Sequence, residues 1–450
     1  MKKFSIFALA ALMVVAFALP ASALENTFGG YWETTFATLN DSDAAGGLND
    51  DQSQVDVRLR LYYTAGINDN LKIVSKFEID YGWGDQASGS AAAGAFKSGG
   101  VGDVGADGKG AIEVKNVYAD FKLGPVGVKM GTQGFTLARG IIYDTDGTGL
   151  TLVYSPNDMI TIPFVWLKTW ETTADTANNE DDDFDIYGLV PVFKFGEGIS
   201  VQGMIVKAAT DNLAVSSPVL GPAAGTFAAS TELDAWFYGV DASAKFGPLS
   251  VYGTYIIESG EITPVGAASI DLGGFAMDMG VSYDMGMFSL RGEYAMLSGD
   301  DDGIADNDLE AFTATSGESW NKGELLFTNG ILWKNPYGTA ASPLGTGAPA
   351  QNNFLATSSG MKLWNIGATV KPMDKLALKL DYFDASYAET AAGASDDIGS
   401  EIDFVATYQL LEGLNLDVLA CFFQVGDSIN PVGTNDEDQT MYGARFSVAW

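Results

Sequence analysis

Val55-Asp56-Val57-Arg58-Leu59-Arg60-Leu61-Tyr62-Tyr63 is the stretch on which the fold class turns. Val55, Val57, Leu59, Leu61 and Tyr63 fall on one face, and Asp56, Arg58, Arg60 and Tyr62 on the other, which is the period of a β-strand with one apolar and one wet side. The pattern returns at Leu376–Tyr382, where Leu376, Leu378, Leu380 and Tyr382 oppose Lys379 and Asp381. In 401–410, Ile402, Phe404, Ala406, Tyr408 and Leu410 oppose Glu401, Asp403, Thr407 and Gln409. It recurs at 288–296 and in the last segment, where Tyr442, Ala444, Phe446, Val448 and Trp450 share a face against Gly443, Arg445 and Ser447. Over 110–123 the alternation slips: Ile112 and Val114 lie on one face, then Val117, Ala119, Phe121 and Leu123 on the other. A bulge near residue 115 reconciles the two sets.

Composition removes most catalytic chemistry. The 450 residues include 24 Lys+Arg, 58 Asp+Glu, no histidine and one cysteine, for a formal charge of −34. A Ser-His-Asp hydrolase, a histidine-ligated zinc site and a disulfide framework are all excluded. So large an acidic surplus also argues against nucleic acid, whose phosphates require clustered Lys and Arg.

Met1-Lys2-Lys3, the apolar run Phe4–Leu19 and the small-residue site Ala21-Ser22-Ala23 read as a signal peptide over 1–23. Its removal takes two of the 24 basic residues and no acid, so the formal charge falls from −34 to −36. The remainder, 24–450, is expected to form a single domain. It contains no run near the ~18 apolar residues of a membrane helix. An exported chain with this alternation is then expected to cross a membrane as a closed β-barrel, the other way of satisfying every backbone group in lipid.

Connection lengths support that choice. Short turns at Asn68-Asp69-Asn70, Gly124-Pro125, Pro156-Asn157-Asp158, Gly247-Pro248 and Glu412-Gly413 alternate with long Asp/Gly-rich connections, including 84–109, 134–149, 210–232, 300–360 and 427–437. The expected fold is all-β: a transmembrane antiparallel up-and-down barrel with short periplasmic turns and long external loops. The count is eighteen strands with both ends periplasmic, or sixteen if the short segments 126–133 and 149–155 fail. Tyr63, Tyr81, Trp83, Tyr382 and Trp450 stand near strand ends, where interfacial aromatic girdles belong.

With its signal peptide, alternating strands, acidic outer loops and closing segment Met441–Trp450, the chain resembles a Gram-negative outer-membrane porin. Such porins usually end in an aromatic residue, most often Phe; here it is Trp450. The resemblance implies a channel in the bacterial outer membrane, in contact with its lipid and often a homotrimer.

With the apolar faces outward, Asp56, Arg58, Arg60, Lys72, Lys76, Glu78, Asp80, Asp120, Lys122, Lys168, Arg291, Glu293, Lys379, Asp381, Glu401, Asp403 and Arg445 line the lumen. Both signs are present, and charge rings of this kind select ions and orient dipolar solutes. The connection Gly134–Gly147 carries Ile141, Ile142 and Tyr143, which an external loop does not need. In porins the corresponding loop commonly folds inward, so Arg139, Asp144 and Asp146 are candidate constriction residues. Asp300-Asp301-Asp302-Gly303 followed by Asp306, Asp308 and Glu310 resembles Asp-rich calcium repeats. Asp300, Asp302, Asp306, Asp308 and Glu310 could supply most of the six to eight oxygens that calcium takes. No other cofactor is expected.

The expected function is passive diffusion of ions and small hydrophilic solutes with cation preference, not enzymatic catalysis. The alternatives are a barrel sleeve or anchor for a partner such as an electron-carrying cytochrome, and surface adhesion through the long loops.

Overall fold

The computed structural model describes residues 25–40, 52–83, 112–170, 183–211, 231–302, 306–313, 322–324, 359–428 and 438–450. The expected signal peptide and the acidic runs at 180–182 and 436–437 lie outside them. Eighteen strands build the wall. They are β1 (Glu25–Asn40), β2 (Gln52–Asn68), β3 (Leu71–Gly82), β4 (Glu113–Leu123), β5 (Val126–Leu137), β6 (Tyr143–Asn157), β7 (Ile160–Trp170), β8 (Phe184–Leu189 and Val192–Phe195) and β9 (Ile199–Thr210). There follow β10 (Glu232–Phe246), β11 (Leu249–Thr263), β12 (Ile270–Leu272 and Phe275–Asp284), β13 (Phe288–Leu297), β14 (Met361–Met373), β15 (Leu376–Ser386), β16 (Asp397–Leu411), β17 (Leu414–Val425) and β18 (Gln439–Ala449).

Each wall strand pairs antiparallel with its neighbours in sequence, and β1 pairs with β18 from Tyr31↔Ala449 to Asn40↔Thr440, so the sheet closes on itself. Closure leaves no wall edge unpaired. At the seam Gly30 and Trp450 exchange two backbone hydrogen bonds, at 3.0 and 3.1 Å. Gly30 has to be glycine: the Trp450 ring fills the space a side chain would need, and the Arg60 carbonyl lies 2.7 Å from where its Cβ would sit.

Two strands are interrupted for identifiable reasons. In β8, Pro191 has no N–H for the ladder, but its carbonyl accepts the Gly203 N–H at 2.9 Å and pairing continues on both sides. In β12, Gly273-Gly274 opens the strand to admit a returning loop. Asp271 and Leu272 pair parallel with Asp308 and Leu309, and the backbone of Phe312 lies where a Gly274 side chain would be.

The expected bulge is present. Lys76 pairs with Asn116 and Phe77 with Val114, which leaves Lys115 as the extra residue of β4. Lys115 and Asn116 both turn inward, so Val114 and Val117 are both on the outer face, 60% and 43% exposed.

Outside, the wall is apolar: Val240, Ile257, Met279, Ile366, Leu380, Phe404 and Phe422 are all exposed. Aromatic pairs Trp166–Tyr187, Trp236–Tyr238 and Trp364–Tyr382 lie towards the long-connection end and Phe28–Tyr63 towards the short-turn end. This is the lipid face and girdle arrangement of a membrane barrel. Inside, the surface divides by height. Towards the long connections the inward positions are apolar and buried, among them Leu137, Leu167, Ile186, Phe237, Ile262, Leu363 and Phe423, in one continuous cluster. Most of the charged residues occupy the inward face below it, while Glu258 and Glu401 are buried at its height.

Candidate functional site

The inward charges are matched in register across neighbouring strands, as cross-strand pairing favours. Arg58 faces Asp80 and Arg60 faces Glu78. Arg58 Nε lies 2.9 Å from Asp80 Oδ1 and 3.4 Å from Glu78 Oε2, and Arg60 closes on the same Glu78 carboxylate. Lys115 joins them, 3.8 Å from Glu78 and 3.0 Å from Asp146. At the seam Arg445 reaches Asp417 on β17 at 2.8 Å and, across it, Glu33 on β1 at 3.5 Å. Lys72 pairs with Asp120 at 3.2 Å, and Lys76 stands over the Tyr62 ring. Asp56 shares their face, opposite Thr35 and Gly82.

On the far side, Asp381 takes Arg291 and, at 3.0 Å, Lys379. Asp381 is also the direct cross-strand partner of Asp403. Glu401 and Asp403 accept the Cys421 thiol at 3.2 and 2.8 Å, all three residues being buried. Sequence reasoning set Cys421 aside as a thiol without a disulfide partner; its register opposite Asp403 places it in this acidic corner.

Lys168 is a correction. It was expected in the lumen, but Val165 and Leu167 are the buried inward residues of β7, so Trp166 and Lys168 take the outer face. There Lys168 pairs with Asp183 near the upper end of the wall.

The connection between β5 and β6 is shorter than the expected 134–149. Its strands run to Leu137 and resume at Tyr143, with a single 3-10 turn at Ala138–Gly140. Gly134, Gly147 and Gly149 blank out the alternation in the sequence, although Gln133, Phe135 and Leu137 continue it. The tip folds inward. Ile141 and Ile142 are fully buried. Ala138 and Arg139 adopt left-handed φ values of 55° and 54°. Arg139 reaches Asp241 on β10, with Nη2 3.0 Å from Oδ1, and its guanidinium lies 4.5 Å from the Tyr252 ring on β11. Asp144 accepts the Thr136 hydroxyl at 2.7 Å, and Asp146 accepts Asn116 Nδ2 at 2.7 Å.

A second segment comes back into the barrel, from the connection between β13 and β14. Lys322 lies 3.0 Å from Asp278 and also closes on Glu293, and the Glu324 N–H donates to Glu401. Thr313 is tied to Glu258 on β11 through its N–H at 2.8 Å and its hydroxyl. Between the Arg139 turn and the wall is a cavity of about 410 Å³, bordered by Arg139, Lys245, Tyr252, Arg291 and Glu293.

The five candidate calcium ligands separate. Asp300, Asp301 and Asp302 bring carboxylate oxygens within 4.8 Å of one another, while Asp306, Asp308 and Glu310 are not in that group. Asp300 accepts the N–H groups of Asp302 and Glu310, both at 3.1 Å, and Asp306 that of Asp308 at 2.9 Å. Those bonds shape the turn.

No protein-family model and no curated protein matches this sequence. Solved structures match in fold. OccK9 (OpdG) of Pseudomonas aeruginosa aligns with a TM-score of 0.57 at 14% identity, covering 95% of this chain and 99% of that one. OccK8 (OprE) of the same organism gives 0.56 at 11% identity over 95% and 98%. Acinetobacter baumannii OccAB1 gives 0.55 at 11% identity over 94% and 96%. The chain has the closed 18-strand fold of these outer-membrane porins.

Proposed function

We propose that this protein forms a water-filled channel through the bacterial outer membrane, for passive diffusion of ions and small hydrophilic solutes, with preference for cations. One observation carries the reading: a belt of charged side chains of both signs, including Arg58, Asp80, Arg291, Asp381 and Arg445, turned inside a wall whose outer face is apolar. Charge placed so is solvated only if the lumen holds water. The fold shared with outer-membrane porins supports the location and the passage of small solutes. The acidic surplus supports the cation preference, since a formal charge of −34 draws cations towards the mouth. Resemblance to porins supports a homotrimer, which cross-linking in native membranes would count.

The test is single-channel recording of the refolded protein in planar bilayers under a KCl gradient. Stable ohmic steps with a cation-biased reversal potential are expected. A folded barrel that passes no current would defeat the channel reading and favour a sleeve or anchor for a partner.

A further inference from the structure

Lys322 occupies a position that its place in a long connection does not explain. Its side chain is 13% exposed, and its ammonium sits between two inward carboxylates of adjacent strands, Asp278 on β12 and Glu293 on β13. The other oxygen of Asp278 accepts the Tyr252 hydroxyl at 3.0 Å, and Tyr252 in turn carries the Arg139 guanidinium on its ring. Two carboxylates close on one ammonium, and the Tyr252 hydroxyl holds one of them in place, which makes a cation seat. The neighbouring backbone is held to match. Gly323 has φ 82°, and a Cβ there would stand 3.0 Å from both oxygens of Glu401, so only glycine brings the Glu324 N–H onto that carboxylate without strain. The segment thus bridges β12–β13 to β16 at the height where the Arg139 turn also meets the wall.

We propose that Lys322 is a specificity-determining residue of the channel: a tethered ammonium that fills the Asp278–Glu293 seat and withholds it from permeating cations. The inference rests on the channel reading above. A lysine is a compact point charge on a flexible stem, so another cation can exchange with it. Being tethered, it competes at an effective concentration on the order of millimolar. The unoccupied seat would take small monovalent cations and primary ammonium groups, the chemistry Lys322 itself presents. Without Lys322 two inward carboxylates lose their counter-charge and the lumen field becomes more cation-attracting.

Two experiments test this, and only one needs current. In bilayers under a KCl gradient, Lys322→Gln is expected to raise the K+/Cl− permeability ratio by about three-fold or more, and Glu293→Gln to lower it. The shift should shrink in molar salt as the charges are screened to about 3 Å. A conducting Lys322→Gln channel with the wild-type reversal potential would overturn the proposal. In the second arm, Lys322→Cys barrels that retain heat-modifiable migration are treated with cationic or anionic methanethiosulfonate reagents and read by mass spectrometry. Wild type gives the background of Cys421, which is fully buried. The cationic reagent should react faster by roughly ten-fold, and the preference should vanish with Asp278→Asn and Glu293→Gln, because the carboxylates concentrate cations at that thiol. Equal rates, no reaction, or a preference that survives loss of both carboxylates would overturn it. A barrel that shows the labelling preference yet passes no current would defeat the channel reading and leave the seat standing.

Discussion

Arg58 and Asp80 stand directly opposite each other on β2 and β3 and meet through three hydrogen bonds, from Nε to Oδ1 at 2.9 Å and Oδ2 at 3.1 Å and from Nη2 to Oδ2 at 2.5 Å. Arg60 makes the same cross-strand approach to Glu78 two pairs further along. Replacing Arg58 and Arg60 together by Gln leaves these carboxylates short of counter-charge. Reversal potential in a KCl gradient should therefore move towards that of K+. Loss of charge-assisted bonds to the nearly buried Glu78 should also cost about 1–3 kcal/mol of stability in thermal melting. An unmoved reversal potential would contradict the placement of both arginines in the conducting path.

Neutralising Asp144 and Asp146 to Asn works in the opposite direction. Asp146 balances Lys115 at 3.0 Å, so its loss shifts the local charge towards positive. Cation preference is expected to fall. If conductance and selectivity both match wild type, the inward turn of β5 and β6 lies outside the conducting path.

Arg139→Ala removes two contacts that tie that turn to β10 and β11, the Asp241 pair and the Tyr252 ring. Single-channel conductance should rise, and stability should drop by about 1–2 kcal/mol for a partly exposed charge-assisted bond and a cation–π contact. Tyr252→Phe keeps the ring under the guanidinium and loses only the hydroxyl's bonds to Asp278 and Glu293. It should leave the Arg139 turn in place, with a conductance increase much smaller than that of Arg139→Ala.

Gly367 sits between Arg291 and Asp381. A Cβ there would strike the Asp381 carboxylate and lie 2.6 Å from Arg291 Nε. Gly367→Ala should therefore destabilise by about 1–3 kcal/mol, the range of overpacking. Gly292→Ala is the matched control, since the nearest atoms to its Cβ would be 3.8 Å away. Equal melting of the two variants would rule out the packing argument.

Three carboxylates gathered at Asp300, Asp301 and Asp302 repel one another, and a calcium ion would relieve that. If calcium is held here, the protein should melt higher in calcium than in chelator. A site at ten times its Kd adds about 1.4 kcal/mol. Asp301→Asn with Asp302→Asn should abolish the difference, and identical melting of wild type in the two conditions would remove the site.

Strand register and bulge are legible where one face is apolar and the other charged. In β2 the alternation from Val55 to Tyr63 specifies register and face together, because a slip of one residue would put Arg58 and Arg60 into lipid. The bulge at Lys115 was legible for the same reason: two apolar sets out of phase cannot both face outward without an extra residue between them. Where both faces are apolar the signal vanishes. Val165-Trp166-Leu167-Lys168 offers nothing to count from, and Lys168 was placed inward on its charge alone. The apolar upper lumen around Ile186, Phe237 and Phe423 was hidden likewise, since inward and lipid-facing residues there are chemically alike. Glycines at 134, 147 and 149 carry no hydrophobicity in either direction and made two long strands look short. The seat of Lys322 had no local signature at all, because its carboxylates come from strands 29 and 44 residues back in the chain.

Gly30 and Trp450 meet across a seam whose two strands begin more than 400 residues apart. A contact of such sequence separation is slow to find, because the loop it closes carries an entropy cost before any pairing repays it. Until β18 reaches β1, both strands present open rows of N–H and C=O groups, and neither row can rest in hydrocarbon. Seventeen strands are therefore a template for misassembly rather than a slightly weaker barrel. The seam is the pairing expected to form last, and until it does both edges have to be kept out of the hydrocarbon.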